Sequence, residues 1–132
     1  MSAERVMVVC EESELRDSIT QLIENHGMQS CAAADGIDAL RQIYHVRPRL
    51  IVSEAELSRL SGFEFLPFVR RRFPTVGVIA LAASDANSQE NAPVADLLVP
   101  KTPWNPERLM SHVHQLLAMC PLREEFKESD CA

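Results

Sequence analysis

The chain has 132 residues, a formal net charge of −6 and a hydrophobic fraction of 46%. This length suits one domain with a substantial core. The acidic balance argues against sequence-independent nucleic-acid binding by the domain as a whole, which needs a basic footprint. No apolar run approaches the ~20 residues of a membrane span, and Met1-Ser2-Ala3-Glu4-Arg5 lacks the features of a signal peptide. A cytoplasmic protein without membrane contact is expected. Cys10, Cys31, Cys120 and Cys131 are widely spaced, with no C-x-x-C pair, so free thiols and no cysteine metal site are expected.

In chain order, Val6 to Val9 reads as a first strand. A helix follows, with Ser13 as its cap and Leu15, Ile19, Leu22 and Ile23 on one face. Gly27 is the stop signal after it. Met28 to Ala33 reads as a second strand. Asp35 precedes a helix whose inward residues are Ile37, Leu40, Ile43 and Tyr44, and Pro48 ends that connection. Leu50-Ile51-Val52-Ser53-Glu54 is a third strand, apolar enough to be buried on both faces of a parallel sheet. Gly62 permits a turn, and Phe63, Leu66, Phe68 and Val69 begin a third helix, in which Pro67 is tolerable only near the first turn.

Val76 to Ala82 forms a fourth strand. Ala83 to Val94 is rich in Ser, Asp and Asn and predicts a short or frayed helix. Leu97-Leu98-Val99 is the fifth strand. Asn105 caps and Pro106 opens the last helix, with Leu109, Val113, Leu116 and Leu117 as its stripe. Pro121 stops it, leaving residues 1–121 as the domain and 122–132 as a charged, loose tail. Strands alternating with helices imply βαβ units, right-handed crossovers and an α/β, doubly wound parallel sheet with helices on both faces.

The third strand ends on Glu54 and the first on Cys10-Glu11-Glu12. Ligands of open parallel sheets lie beyond the carboxyl ends of the strands, so this acidic end is where chemistry is expected. The order of these segments resembles the receiver domain of bacterial two-component response regulators, the chemotaxis (CheY-like) type, from about Arg5 to Ala118. VMVVCEE is similar to the family's first strand and its paired acids. AADGIDAL resembles the segment at the second helix, and LIVSE with LSGFEFL resembles the acceptor strand and the helix after it. GVIALAA and LLVPKTP resemble the fourth and fifth strands. The resemblance implies a flavodoxin-like five-stranded sheet in the order 2-1-3-4-5.

The resemblance also assigns positions. The acceptor aspartate falls on Glu54, the metal-binding acids on Cys10 and Glu11, the hydroxyl residue on Ala82, the aromatic switch on Leu98 and the lysine on Lys101. Thr102 separates Lys101 from Pro103 where the family has a lysine-proline step.

Phosphoryl transfer needs an in-line nucleophile, a divalent cation and donors for three equatorial oxygens. Glu54 carries an extra methylene, and a misplacement of order 1 Å can cost ~10²-fold. Cys10 removes a hard oxygen ligand, and Ala82 donates nothing. No phosphorylation, no catalysis and no cofactor are therefore expected. A glutamate reaches further than an aspartate and partly imitates an acyl phosphate, so a Glu54–Lys101 pair is expected to hold the domain in one state. The implied function is a pseudo-receiver working by protein–protein contact. Its partner would be a histidine kinase, an output domain or another signalling protein, through Ala92 to Leu117, or a second copy through the last strand and helix.

The opposing reading is an active, metal-dependent phosphoacceptor, with Mg²⁺ at Glu11, Glu54 and the backbone near Glu56. A third is a ligand-binding flavodoxin-like module, against which the missing glycine-rich phosphate loop counts. Acidic neighbours disfavour a thiolate, so Cys10 reads as a buried structural thiol rather than a redox sensor. His112 and His114 do not share a helix face, and His26 and His45 sit at helix ends, so none is assigned to a metal. Arg70-Arg71-Arg72 reads as a solvated helix end rather than a phosphate site. Trp104 is expected to pack under the start of the last helix.

Overall fold

β1 (Arg5–Val9), β2 (Gln29–Ala33), β3 (Leu50–Glu54), β4 (Gly77–Ala82) and β5 (Leu97–Pro100) form one parallel sheet in the order β2-β1-β3-β4-β5. The computed structural model describes residues 4–55, 62–82, 95–101 and 104–131. Four described helices connect or flank the strands: α1 (Ser13–Asn25), α2 (Gly36–Val46), α3 (Gly62–Arg72) and α4 (Pro106–Cys131). The expected helix within Ala83 to Val94 lies outside the described residues.

Every residue of β3 and β4 is buried, which is why their sequences are apolar runs rather than alternations. Side chains still alternate between the two faces. Val6, Val8, Leu50, Val52, Ile79, Leu81 and Val99 point to a core closed by Ile19 and Ile23 of α1 and by Leu109, Met110, Val113 and Leu116 of α4. Met7, Val9, Ile51, Val78 and Ala80 point to the other side, closed by Ala39 and Ile43 of α2 and by Phe65, Leu66 and Val69 of α3. Trp104 packs against the first core, as its place before α4 suggests.

The helix ends follow local chemistry. The Asp35 carboxylate accepts from the Asp38 N–H at 2.8 Å, and the Asn105 side-chain oxygen accepts from the Arg108 N–H at 3.0 Å. Both satisfy first-turn donors that the helix leaves open. Gly27, at φ 84°, takes the left-handed turn after α1. Ser13 does not cap α1. It is the first helical residue, and Glu12 holds the N-cap position, its carbonyl accepting from Arg16 N at 2.9 Å.

Three further expectations are corrected. Tyr44 faces solvent, 48% exposed, because Ala39 and Ile43 occupy the inward stripe of α2 and Tyr44 lies about 100° around from Ile43. Pro67 sits in the second turn of α3 rather than its first. Helix α4 runs through Pro121 to Cys131 rather than stopping at Pro121. A proline removes one intrahelical bond, but Leu122-Arg123-Glu124-Glu125 and Lys127-Glu128 are strong helix formers and carry the helix onward.

Candidate functional site

The parallel registers bring three residues to one end of the sheet. Val9 pairs with Ser53, so Cys10 and Glu54 emerge side by side. Glu54 lies opposite Leu81, and Ala82 opposite Pro100. The Lys101 N–H donates to the Ala82 carbonyl at 2.8 Å, fixing the start of its side chain beside β4. By alternation, Cys10, Glu54 and Lys101 share the face that carries Val8, Val52 and Val99.

Glu54 is the hub. It is only 5% exposed, and its two oxygens have different partners. Oε1 accepts from the Glu11 backbone N–H at 2.7 Å. Oε2 accepts from Lys101 Nζ at 2.7 Å. A buried carboxylate is tolerable only with such partners. The Lys101 side chain is more open, 28% exposed against 7% for that of Glu54. Its ammonium titrates above the ordinary lysine range: partial burial pulls it down, and the Glu54 hydrogen bond and charge more than offset that, with Cys10 and Glu12 adding to the rise.

Cys10 is fully buried. Its Sγ donates to the Glu12 carbonyl at 3.5 Å. Burial first, and the Glu54 charge second, push its thiol from 9.0 up to about 12, against a smaller pull from Lys101. It is a neutral thiol at physiological pH, as its acidic surroundings suggest.

Glu11 and Glu12, just past β1, are exposed. Ala82 is buried and contributes no side-chain donor, and Leu98 packs with the α2–α3 core. Glu56, Thr102 and Pro103 lie outside the described residues. Among the described residues, no three His, Cys, Asp or Glu side chains come together as a metal site. No described helix is long and apolar enough to cross a membrane.

Two residues escaped the sequence reading. Arg16 Nη1 donates to the Cys10 carbonyl at 2.8 Å and braces the turn after β1. Asp96 accepts from Val78 N at 2.8 Å and Arg70 Nη1 at 3.1 Å, clasping the starts of β4 and β5. Neither sits in a motif. Asp96 is visible only once the strands are in register, and Arg16 only once the turn from β1 into α1 is formed.

The response regulator receiver domain family matches residues 6–114. The chain belongs to that family. Receiver-domain relatives span most of it. It is 28% identical over 124 residues to the response regulator MprA of Mycobacterium ulcerans, covering 92% of this chain and 53% of that protein. It is 29% identical over 134 residues to the nitrogen assimilation regulatory protein NtrX of Azorhizobium caulinodans, covering 96% of this chain and 29% of that one. The receiver domain thus spans about half the length, or less, of these curated relatives.

Among solved structures, the CheY-like receiver domain protein of Methanospirillum hungatei superposes with a TM-score of 0.83 at 25% identity, over 92% of this chain and 99% of that one. NtrX of Brucella abortus superposes with a TM-score of 0.84 at 25% identity, over 97% of this chain and 29% of that one. The CheY-like flavodoxin architecture and the 2-1-3-4-5 strand order expected from the sequence are those of this receiver domain.

Proposed function

We propose that this is a pseudo-receiver: a receiver domain that is not phosphorylated, is held in one state by the Glu54–Lys101 pair, and acts by protein–protein contact. The supporting observation is that both Glu54 oxygens are already engaged, one by Lys101 Nζ and one by the Glu11 N–H, each at 2.7 Å. An acceptor carboxylate needs a free oxygen aimed at phosphorus, with a cation and further donors around the equatorial oxygens. Here the lysine that would neutralise a phosphoryl group neutralises the glutamate itself.

The donor set fits Mg²⁺ poorly. Mg²⁺ asks for near-octahedral oxygen ligands. At the position of one acid this chain has the Cys10 thiol, which is buried, protonated and directed to the Glu12 carbonyl. Ala82 and Leu98 lack the hydroxyl and the aromatic ring that would relay a change at the pocket to another face.

The contact surface we assign is β5 with α4, and the occupant a signalling protein such as a histidine kinase or an output domain. A second copy on the same face is the competing occupant, separated from it by sedimentation of the isolated chain. The phosphorylation claim is tested by incubation with ³²P-labelled acetyl phosphate and Mg²⁺. No label on the wild-type chain is expected, and stoichiometric label lost on Glu54→Gln would restore the active-acceptor reading.

A further inference from the structure

The sheet end opposite Glu54 carries a second feature. Helices α2 and α3 run antiparallel to the strands, so their last turns lie at the strands' amino ends. There Arg5 Nη1 donates to the Val46 carbonyl at 2.7 Å, and Arg70 pairs with Asp96 just before β5. Arg49 pairs with Glu4 at the same end. Arg41, Arg47, Arg71 and Arg72 are all exposed, and none of the four has an ion-pair partner among the described residues.

Arg72 lies beside Tyr44, which is the exposed large hydrophobic side chain of the described residues, 48% open. Arg41, Tyr44 and Arg47 follow one another at steps of three along one side of α2 and its cap. Across from them, the Arg72 guanidinium lies 5.9 Å from the Tyr44 ring centroid and 5.6 Å from that of Phe73. Tyr44 and Phe73 meet edge to face at 5.4 Å, with Phe68 behind at 6.3 Å. The dipole of α3 accounts for cations in its last turn. It does not account for Arg41 in the middle of α2, nor for an aromatic ring held open to water beside them.

We propose that the Tyr44–Arg72 patch, with Arg41 and Arg47, is a docking surface for an acidic segment of a partner protein. The charge selects the occupant: Arg41, Arg47 and Arg72 are exposed and have no ion-pair partner among the described residues, on a chain whose net charge is −6. Guanidinium forks recognise carboxylates bidentately, and Tyr with Arg dominates the energetics of protein contacts. Stacking of Arg72 on two rings pre-orders its fork and lowers the entropy lost on binding. A nucleic acid fits less well. It needs a basic track along its backbone and open ring faces, whereas these arginines gather around one ring between α2 and the end of α3, and Arg72 already lies over that ring and Phe73. The patch lies away from the Glu54 pocket, and its use does not depend on whether that pocket is phosphorylated.

The test is an amide NMR titration of the full chain with a ten-residue peptide carrying six glutamates around a central phenylalanine. Its all-glutamine counterpart and a ten-nucleotide oligothymidine serve as comparisons. Saturable shifts centred on Tyr44, Arg47, Arg72 and Phe73 are expected with the glutamate peptide alone. Arg72→Glu should weaken that binding about tenfold and Tyr44→Ala about fivefold. Arg108→Glu, an equal charge change at the other end of the molecule, should leave it within about twofold. All substituted side chains are exposed, so the variants are expected to fold, and the wild-type shift map needs no variant. No saturable shifts at millimolar peptide, equal weakening by Arg108→Glu, or binding of the oligonucleotide instead of the peptide at this face would each overturn the proposal.

Discussion

Replacing Lys101 by methionine keeps an unbranched side chain one atom shorter and removes its charge. Glu54 then loses the cation on Oε2 and keeps the Glu11 N–H on Oε1, while its side chain stays 7% exposed. Removing one member of a fully buried ion pair costs about 3–5 kcal/mol, and an unsatisfied buried acceptor about 1–3. The lysine head is 28% exposed, so water can enter the space it leaves. The expected loss is therefore about 2–3 kcal/mol.

With an unfolding entropy of about 2.1 cal/mol/K per residue, 132 residues give about 0.28 kcal/mol/K, so Tm should fall by about 7–11 °C. Glu54→Gln should cost less, because Lys101 can turn to solvent while the Gln oxygen still accepts from Glu11. A double-mutant cycle on Lys101→Met and Glu54→Gln, followed by circular dichroism and urea titration, isolates the pair term. The two changes together should cost clearly less than their sum. A Tm change under about 2 °C for Lys101→Met, with strictly additive singles, would refute the idea that this pair organises the pocket.

Asp96→Ala should destabilise by about 1–3 kcal/mol, read from the urea midpoint, because it strands the buried Val78 N–H as well as Arg70; Asp96→Asn should cost less. Stability should fall at alkaline pH. Cys10 and Cys31 are held up to about 12 and about 11, so the unfolded chain releases their protons first; their contribution is whole below pH 9 and is lost as pH rises through those values. Lys101, raised by Glu54 despite its partial burial, acts in the same direction above its ordinary 10.5. Urea midpoints at pH 7, 9 and 10.5 measure this, and Cys10→Ala should flatten the decline. Rebuilding the pocket with Cys10→Asp, Glu54→Asp and Ala82→Thr together should destabilise the metal-free chain and create Mg²⁺-dependent stabilisation, visible as a rise in Tm with added Mg²⁺ that the wild-type chain lacks.

The strands were readable because a buried parallel strand has little choice but an apolar run: LIVSE and GVIALA carry their own assignment. The Glu54–Lys101 contact was also within reach, since register and strand-end position bring two distant residues together. What escaped was tertiary. Tyr44 follows the inward Ile43 by one position and so turns about 100° away from the core, and its neighbours Arg72 and Phe73 come from the end of α3 and the residue after it. Asp96 does its work across strands that sequence spacing alone does not align, and Arg16 reaches back to a carbonyl whose direction the turn alone sets. Pro67 reads as a first-turn residue and Pro121 as a boundary because a single proline is costly in a helix, but the residues around them sustain helix on both sides. Ser13 and Glu12 differ by one position at a helix start, which side-chain type alone does not resolve.

Titration of the ¹⁵N-labelled chain with Mg²⁺ and beryllofluoride bears most directly on the silent pocket, since that pair mimics a metal-bound acyl phosphate on a competent acceptor. Amide resonances of Glu11, Glu54 and Lys101 should stay within the small, linear drift that added salt produces. Saturable shifts at those three residues, stoichiometric in beryllium and dependent on Mg²⁺, would contradict a receiver locked by its own glutamate and lysine.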